Sequence, residues 1–292
     1  MSDGVDDEIE ASRAPLMSHL IELRQRLIFS IVALAVGFVI CFAFSQNIYV
    51  FLLHPFEVAG GIMAEQKNKA IHHGPFDMIL MMTGFLPTPP AAPLKMVFTA
   101  PLEFFFTKVK LAGIAGLMLS FPVIAYQIYN FVSPGLYKRE RLAFLPFLIA
   151  SPFLFLLGAA LVYYMMLPFV LWFSLNQEIV NAGNVSVELL PKVSDYLDLV
   201  TTLLLAFGLC FQLPVVLSLL GLANLVSSKM LASGRRYAIV GVGGLAMVVT
   251  PPDPFSMIAL IVPLCLLYEV SIWCVRLIEL RRKKDEAAEA QG

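Results

Sequence analysis

The run LIFSIVALAVGFVICFAFSQNIYVFLLHPF, residues 27–56, contains no Asp, Glu, Lys or Arg. An α-helix needs roughly 20 apolar residues to cross about 30 Å of hydrocarbon, so this run suffices for a membrane span. Three more charge-free runs exceed that length, at 111–137, 142–177 and 199–228. Two others, 237–252 and 254–268, are shorter and reach only about 24 Å at about 1.5 Å per residue. Pro251, Pro252, Asp253 and Pro254 separate them, and no helix continues through such a cluster, because proline lacks a donor and clashes with the preceding turn. Two short spans or a re-entrant hairpin would both fit this pair. The apolar flank Tyr268–Cys274 lengthens the second member and favours two spans, with local thinning of the bilayer relieving the mismatch.

Composition supports this reading. Apolar residues make up 59% of the 292 and charged residues only 14%, against about 25% in soluble domains. A water-soluble globule is excluded. The net charge of −1 carries no mark of a nucleic-acid partner, and none is expected. Cys41, Cys210, Cys265 and Cys274 lie in or beside apolar runs without a CxxC pair and read as small buried hydrophobes. The acidic start MSDGVDDEIEASRAPLM fits neither a cleavable signal nor an Arg-rich transit peptide. The first span is therefore expected to be retained behind a disordered tail, 1–15.

The expected fold is an all-α integral membrane protein with a six-span domain over 16–275. Its spans fall at approximately 27–46, 104–131, 144–174, 196–221, 235–250 and 255–275, the last two short. Residues 276–292 form a basic and then disordered tail. Six spans put both termini on one side. Fourteen of the 20 Lys and Arg residues fall there: Arg13, Arg24 and Arg26; Lys138, Arg139 and Arg141; Lys229, Arg235 and Arg236; Arg276, Arg281, Arg282, Lys283 and Lys284. By the positive-inside rule that side is cytoplasmic.

The first loop, about 46–103, is the longest. Its stretch GPFDMILMMTGFLPTPPAAP is too apolar for a free linker and is expected to pack back on the outer face as a cap, with Pro87, Pro89, Pro90 and Pro93 extended. His72 and His73 have no third ligand near in sequence and read as polar loop residues, so no metal is expected.

Ionisable groups inside a bilayer are costly and mark function. The four long runs contain no Asp, Glu, Lys or Arg, so the polar features at the cytoplasmic edge stand out. In LMSHLIELRQRL, 16–27, Leu16, Leu20, Leu23 and Leu27 form a helical stripe, with His19, Glu22 and Arg26 along its flank. Taken alone, Glu22 and Arg26 read as a solvated i,i+4 pair worth a few tenths of a kcal/mol. In FVSPGLYKRERL, 131–142, one carboxylate, Glu140, sits among Lys138, Arg139 and Arg141. Gln212 lies deep in the fourth run, where an amide must find an interhelical partner or a functional contact.

HLIELRQRL (19–27), FPVIAYQIYNFVSPGLYKRER (121–141), FGLCFQLPVV (207–216) and TPPDPFSMIALIVPLCLLYE (250–269) together resemble the TatC family, the multispanning subunit of the twin-arginine protein translocase. The resemblance runs from about residue 15 to 275, in the family's order. It implies six helices forming a concave wall in the bacterial inner membrane, both termini cytoplasmic. It also implies a receptor for twin-arginine signal peptides, working with TatA-type and TatB-type single-span subunits under the proton-motive force, as a homo-oligomer within the receptor complex. Such a ligand needs exposed carboxylates, because arginine pairs with them in a bidentate, charge-assisted way. The resemblance assigns that role to Glu22 and Glu140, with Arg24, Phe131 and Tyr137 shaping the patch. The cations around Glu140 keep it ionised and are drawn off to lipid phosphates.

The resemblance gives partner contacts to Gln212, Thr250, Asp253 and Ser256. Met257, where some members carry Gln, and the long first loop depart from the family pattern. No cofactor and no catalytic residue is expected. A solute carrier would show repeats and midplane charges, and a membrane enzyme a nucleophile–base or metal motif. Neither is found.

Overall fold

The computed structural model describes residues 3–69, 75–88, 96–132, 138–176, 179–182, 185–187, 192–249 and 254–289. Apart from one two-stranded hairpin, its regular structure is helical. The helices are α1 (Asp3–Ala43), α2 (Ser45–Lys69), α3 (Pro75–Met82), α4 (Glu103–Val132) and α5 (Lys138–Leu161). A π turn, Val162–Met166, joins α5 to α6 (Leu167–Asn176). The hairpin of β1 (Ile179–Ala182) and β2 (Val185–Val187) follows, then α7 (Val193–Cys210), α8 (Leu213–Leu222), α9 (Ser228–Ser233), α10 (Arg235–Val249) and α11 (Pro254–Glu289). Helix is thus drawn from Asp3 and up to Glu289, across the segments read from sequence as tails.

Among the described residues, five segments are long and apolar enough to cross a membrane: Leu20–Ala43, Glu103–Phe131, Pro146–Leu171, Val193–Leu222 and Met257–Lys283. They coincide with five of the six expected spans. The sixth, α10, has 15 residues and reaches about 22 Å.

α1 packs on α4 in antiparallel fashion. Near the start of the apolar segment of α1, Arg26 meets Gln127 late in α4. Near its end, the Phe42 ring lies edge-on to Phe105 at 6.5 Å. The helices cross where Gly37 meets Gly116. A Cβ on Gly37 would lie 2.7 Å from the Gly116 carbonyl oxygen, and one on Gly116 would lie 2.7 Å from the Phe38 nitrogen. Small residues let helices approach this closely in lipid, where packing replaces the hydrophobic drive to associate.

The main core lies between α2, α3, the α5–π–α6 segment and α7, with Leu52, Phe56, Met78, Met166, Leu197, Leu203 and Phe207 among its buried members. The first loop is therefore largely helical, and α2 and α3 are packed into the bundle. Prolines inside helices include Pro55 in α2, Pro122 in α4, Pro146 and Pro152 in α5, and Pro263 in α11. Pro55 is the instructive case. It offers no N–H to the Phe51 carbonyl one turn back, and the Tyr163 hydroxyl of the π turn donates to that carbonyl at 2.9 Å. The Tyr163 ring stacks on Phe51 at 4.4 Å. The neighbouring Leu52 carbonyl accepts from the Tyr196 hydroxyl of α7 at 2.6 Å.

Removing one partner from a buried bond costs about 1–3 kcal/mol. Tyr163→Phe should therefore lower the melting temperature in detergent by several degrees, while Tyr164→Phe should change it little. Equal shifts would mean that the Phe51 carbonyl does not depend on that hydroxyl.

Polar contacts collect at two ends. At one, Lys110 Nζ pairs with Asp198 at 2.8 Å and Lys192 with Glu103 at 3.6 Å, joining the starts of α4 and α7. At the other, Glu22 pairs with Arg26, and Arg235 Nε with Glu269 at 2.7 Å. There too, Glu279 accepts from the Ser228 backbone N–H at 2.8 Å, and Arg282 reaches Asn224.

Candidate functional site

The first turns of the membrane part of α1 are built inside out relative to a soluble amphipathic helix. Leu20, Leu23 and Leu27 are exposed, whereas Glu22, Arg26 and Ser30, spaced four apart, occupy the half-buried face toward α4. Spacing of four residues aligns side chains on one face of a helix. In lipid this is the favourable arrangement, because the leucines meet acyl chains and the polar groups meet protein.

On that face Arg26 Nη2 lies 3.3 Å from Glu22 Oε1, each side chain 32% exposed. Arg26 Nη1 donates to Gln127 Oε1 at 3.3 Å. One guanidinium thus bridges a carboxylate on α1 and an amide on α4. Phe131, half-buried, lies one turn beyond Gln127 at the end of α4. Arg24, two residues from Glu22, stands on a different face and is exposed. Glu140 is the third residue of α5, at a helix N-terminus, where the macrodipole favours a carboxylate. Its side chain lies outside the described residues, as do Tyr137, His72 and His73. The structure therefore joins Glu22, Arg26 and Gln127, with Phe131 one turn further.

The site makes chemical sense as a guanidinium seat. Glu22 already holds one by a single contact, with a donor–acceptor distance just beyond the usual range. Such half-exposed i,i+4 pairs contribute about 0.3–0.5 kcal/mol, so an incoming arginine loses little by displacing Arg26. Gln127 was not singled out from the sequence. It shares the charge-free run 111–137 with a second amide, Asn130, so being an amide among apolar residues does not single it out.

Gln212 occupies the break between α7 and α8, which forms because Pro214 withholds a donor from α7's last turn. Its amide nitrogen donates to the Ser151 carbonyl at 2.9 Å, and its oxygen accepts from the Ser151 hydroxyl at 2.7 Å. Both halves of the amide are thus engaged within the bundle, on α5. Thr250 and Asp253 lie outside the described residues, and Ser256, in the first turn of α11, is described in its backbone only.

Comparisons with known proteins agree on one family. The family model described as Sec-independent protein translocase protein (TatC) matches residues 18–263. The TatC protein of Magnetococcus marinus is 40% identical, covering 95% of this chain and 89% of the relative. The Escherichia coli TatC is 32% identical over 90% of this chain and 88% of its own. A crystal structure of the twin-arginine translocase receptor TatC superposes with a TM-score of 0.66 at 31% identity, over 89% of this chain and 98% of that one.

Proposed function

The chain belongs to the TatC family of Sec-independent protein translocase proteins and is a multi-pass membrane protein, and from that premise we propose that it is the receptor and scaffold subunit of a twin-arginine translocase. In this reading it binds twin-arginine signal peptides at its cytoplasmic face and organises TatA-type and TatB-type single-span subunits for export of folded proteins, driven by the proton-motive force. It resides in the bacterial inner membrane as a homo-oligomer within the receptor complex and catalyses no covalent chemistry.

The observation that carries the reading is the half-exposed Glu22 carboxylate holding a guanidinium beside α4. The same end holds the chain's largest share of cations, which favours a cytoplasmic position for it and for both termini. The six-span count rests on α10 packing as a short helix against α11. Arg235, the first residue of α10, pairs with Glu269, the sixteenth of α11, so both helices measure about 22–24 Å from that pair to their ends at Val249 and Pro254. Together the six spans form the concave wall of the family. The partner contacts fall to Gln212, Thr250, Asp253 and Ser256. Because both ends of the Gln212 amide are taken by Ser151, Gln212 acts there by holding the α7–α8 break in shape.

Photo-crosslinking of a twin-arginine peptide from positions 18–24 and 134–141, in membranes, tests ligand and site together. Adducts at both segments are expected, and adducts confined to the opposite end would overturn the assignment. Glu22→Ala should weaken binding by about two- to fivefold, the range of an exposed pair of about 0.5–1 kcal/mol. The loss stays modest because the change also frees Arg26 at a wet surface.

A further inference from the structure

Seventeen consecutive residues, 78–94, contain no charged side chain, although they belong to the long first loop and not to a span. Their described part begins in α3, which is apolar on opposite faces. Met78, Met81 and Met82 bury against the bundle, Met78 to 1% exposure. Phe76 on the other side is 69% exposed, Leu80 one turn on is also exposed, and Phe85 beyond the helix is 80% exposed. Asp77 in the first turn is the only charged residue of α3; the apolar side chains on its opposite faces belong in a core or in lipid, and only one of those faces has a core to meet.

The level of α3 is fixed by its contact. The Phe76 ring packs edge-on against Phe169 of α6 at 5.8 Å, about two turns before that helix ends at Asn176 and its charge-free run at Gln177. α3 thus lies beside the last two turns of a span, on the approach from hydrocarbon to headgroups. Its C-terminus is closed as that setting requires. Gly84 adopts φ +80°, its N–H donating to Met81 at 3.1 Å, and the N–H groups of Phe85 and Leu86 both reach the Leu80 carbonyl. The Thr83 hydroxyl donates to the Ile79 and Leu80 carbonyls at 2.9 and 3.1 Å. These carbonyls need no water, the condition that backbone must meet in lipid.

We propose that α3 and its following turn form an interfacial membrane anchor at the end opposite Glu22, with Phe76, Leu80 and Phe85 inserted among the lipids. The occupant is lipid because the exposed face continues the flank of a span at Phe169, at the depth where amphipathic segments lie in the membrane plane. The first loop is then held on the bilayer as well as on the bundle.

The test uses single-tryptophan chains in vesicles of phosphatidylcholine brominated at the 6,7 or the 11,12 carbons. Trp172 and Trp273 are replaced by Phe, and Phe85→Trp or Phe76→Trp supplies the reporter. Preparations are qualified on the chain that keeps only Trp273, 63% exposed within α11, whose emission the brominated lipid must quench. The anchor predicts at least twofold quenching of the Phe85→Trp reporter by the 6,7 lipid, less by the 11,12 lipid, and little by aqueous iodide. Strong iodide quenching without lipid quenching would overturn the proposal by placing the loop in water. Protection from both quenchers would overturn it by assigning the face to a protein partner or a second copy.

Discussion

Glu140→Ala should abolish measurable binding of a twin-arginine peptide while leaving the weak binding of the same peptide with two lysines nearly unchanged. A guanidinium presents its donors as a rigid fork that matches two carboxylate oxygens, whereas an ammonium meets them as a point charge. Hydrogen bonds to a charged group are worth about 1.5–3 kcal/mol, roughly 10- to 150-fold in affinity. The effect should exceed that at Glu22, whose carboxylate is already shared with Arg26. Glu140→Gln, which keeps the shape and removes the charge, should follow Ala and not wild type. Peptide anisotropy in lipid discs reads all of these, and equal losses for the arginine and lysine peptides would mean that Glu140 acts through folding.

Gly116→Leu should be nearly as damaging, from about 20 Å away along the helices by their rise. A Cβ there meets the Phe38 nitrogen at 2.7 Å and its Cα at 2.8 Å, backbone atoms that no rotamer change can move aside. Overpacking costs about 1–3 kcal/mol, occasionally more. That cost falls on a contact with little reserve, since only 11% of the α1 span window is buried and α4 is its principal partner. α1 should therefore shift and carry Glu22 and Arg26 away from Gln127. Two readings check this: loss of peptide binding, and loss of crosslinking between cysteines placed at 42 and 105, where the native rings lie 6.5 Å apart. Gly113→Leu is the control, because a Cβ there has nothing within 4 Å. If both substitutions behave alike, the Gly37–Gly116 crossing does not hold α1.

The spans were legible because the bilayer imposes one rule, the exclusion of charge, and that rule acts on local sequence. The charge-free runs accordingly anticipate α1, α4, α5–α6, α7–α8 and α11. Within the run 27–56 the expected first span ends near 46, close to the break between Ala43 and Ser45, although no proline or charge marks that break and only the polar Ser45, Gln46 and Asn47 follow it. Pro55 is a proline whose surroundings the local sequence does not disclose. A proline reads as a stop, yet α2 continues through it because Tyr163 and Tyr196, more than a hundred residues away, meet the adjacent carbonyls. Such compensation depends on tertiary contact and leaves no local signature. At the candidate site, Glu22 and Arg26 were visible as an i,i+4 pair. The third member, Gln127, was not, because its meaning arises only when the end of α4 is laid against the start of α1.

The dependence of α1 on α4 also has a temporal side. Gly116 follows Gly37 in the chain by nearly eighty residues, and synthesis proceeds at about 5–20 residues per second. For something on the order of ten seconds, the first helix must wait in the bilayer without the surface it will finally rest on. During that interval only its own affinity for lipid retains it, which gives the unbroken absence of charge from Leu27 to Ala43 a role in biogenesis as well as in the finished bundle.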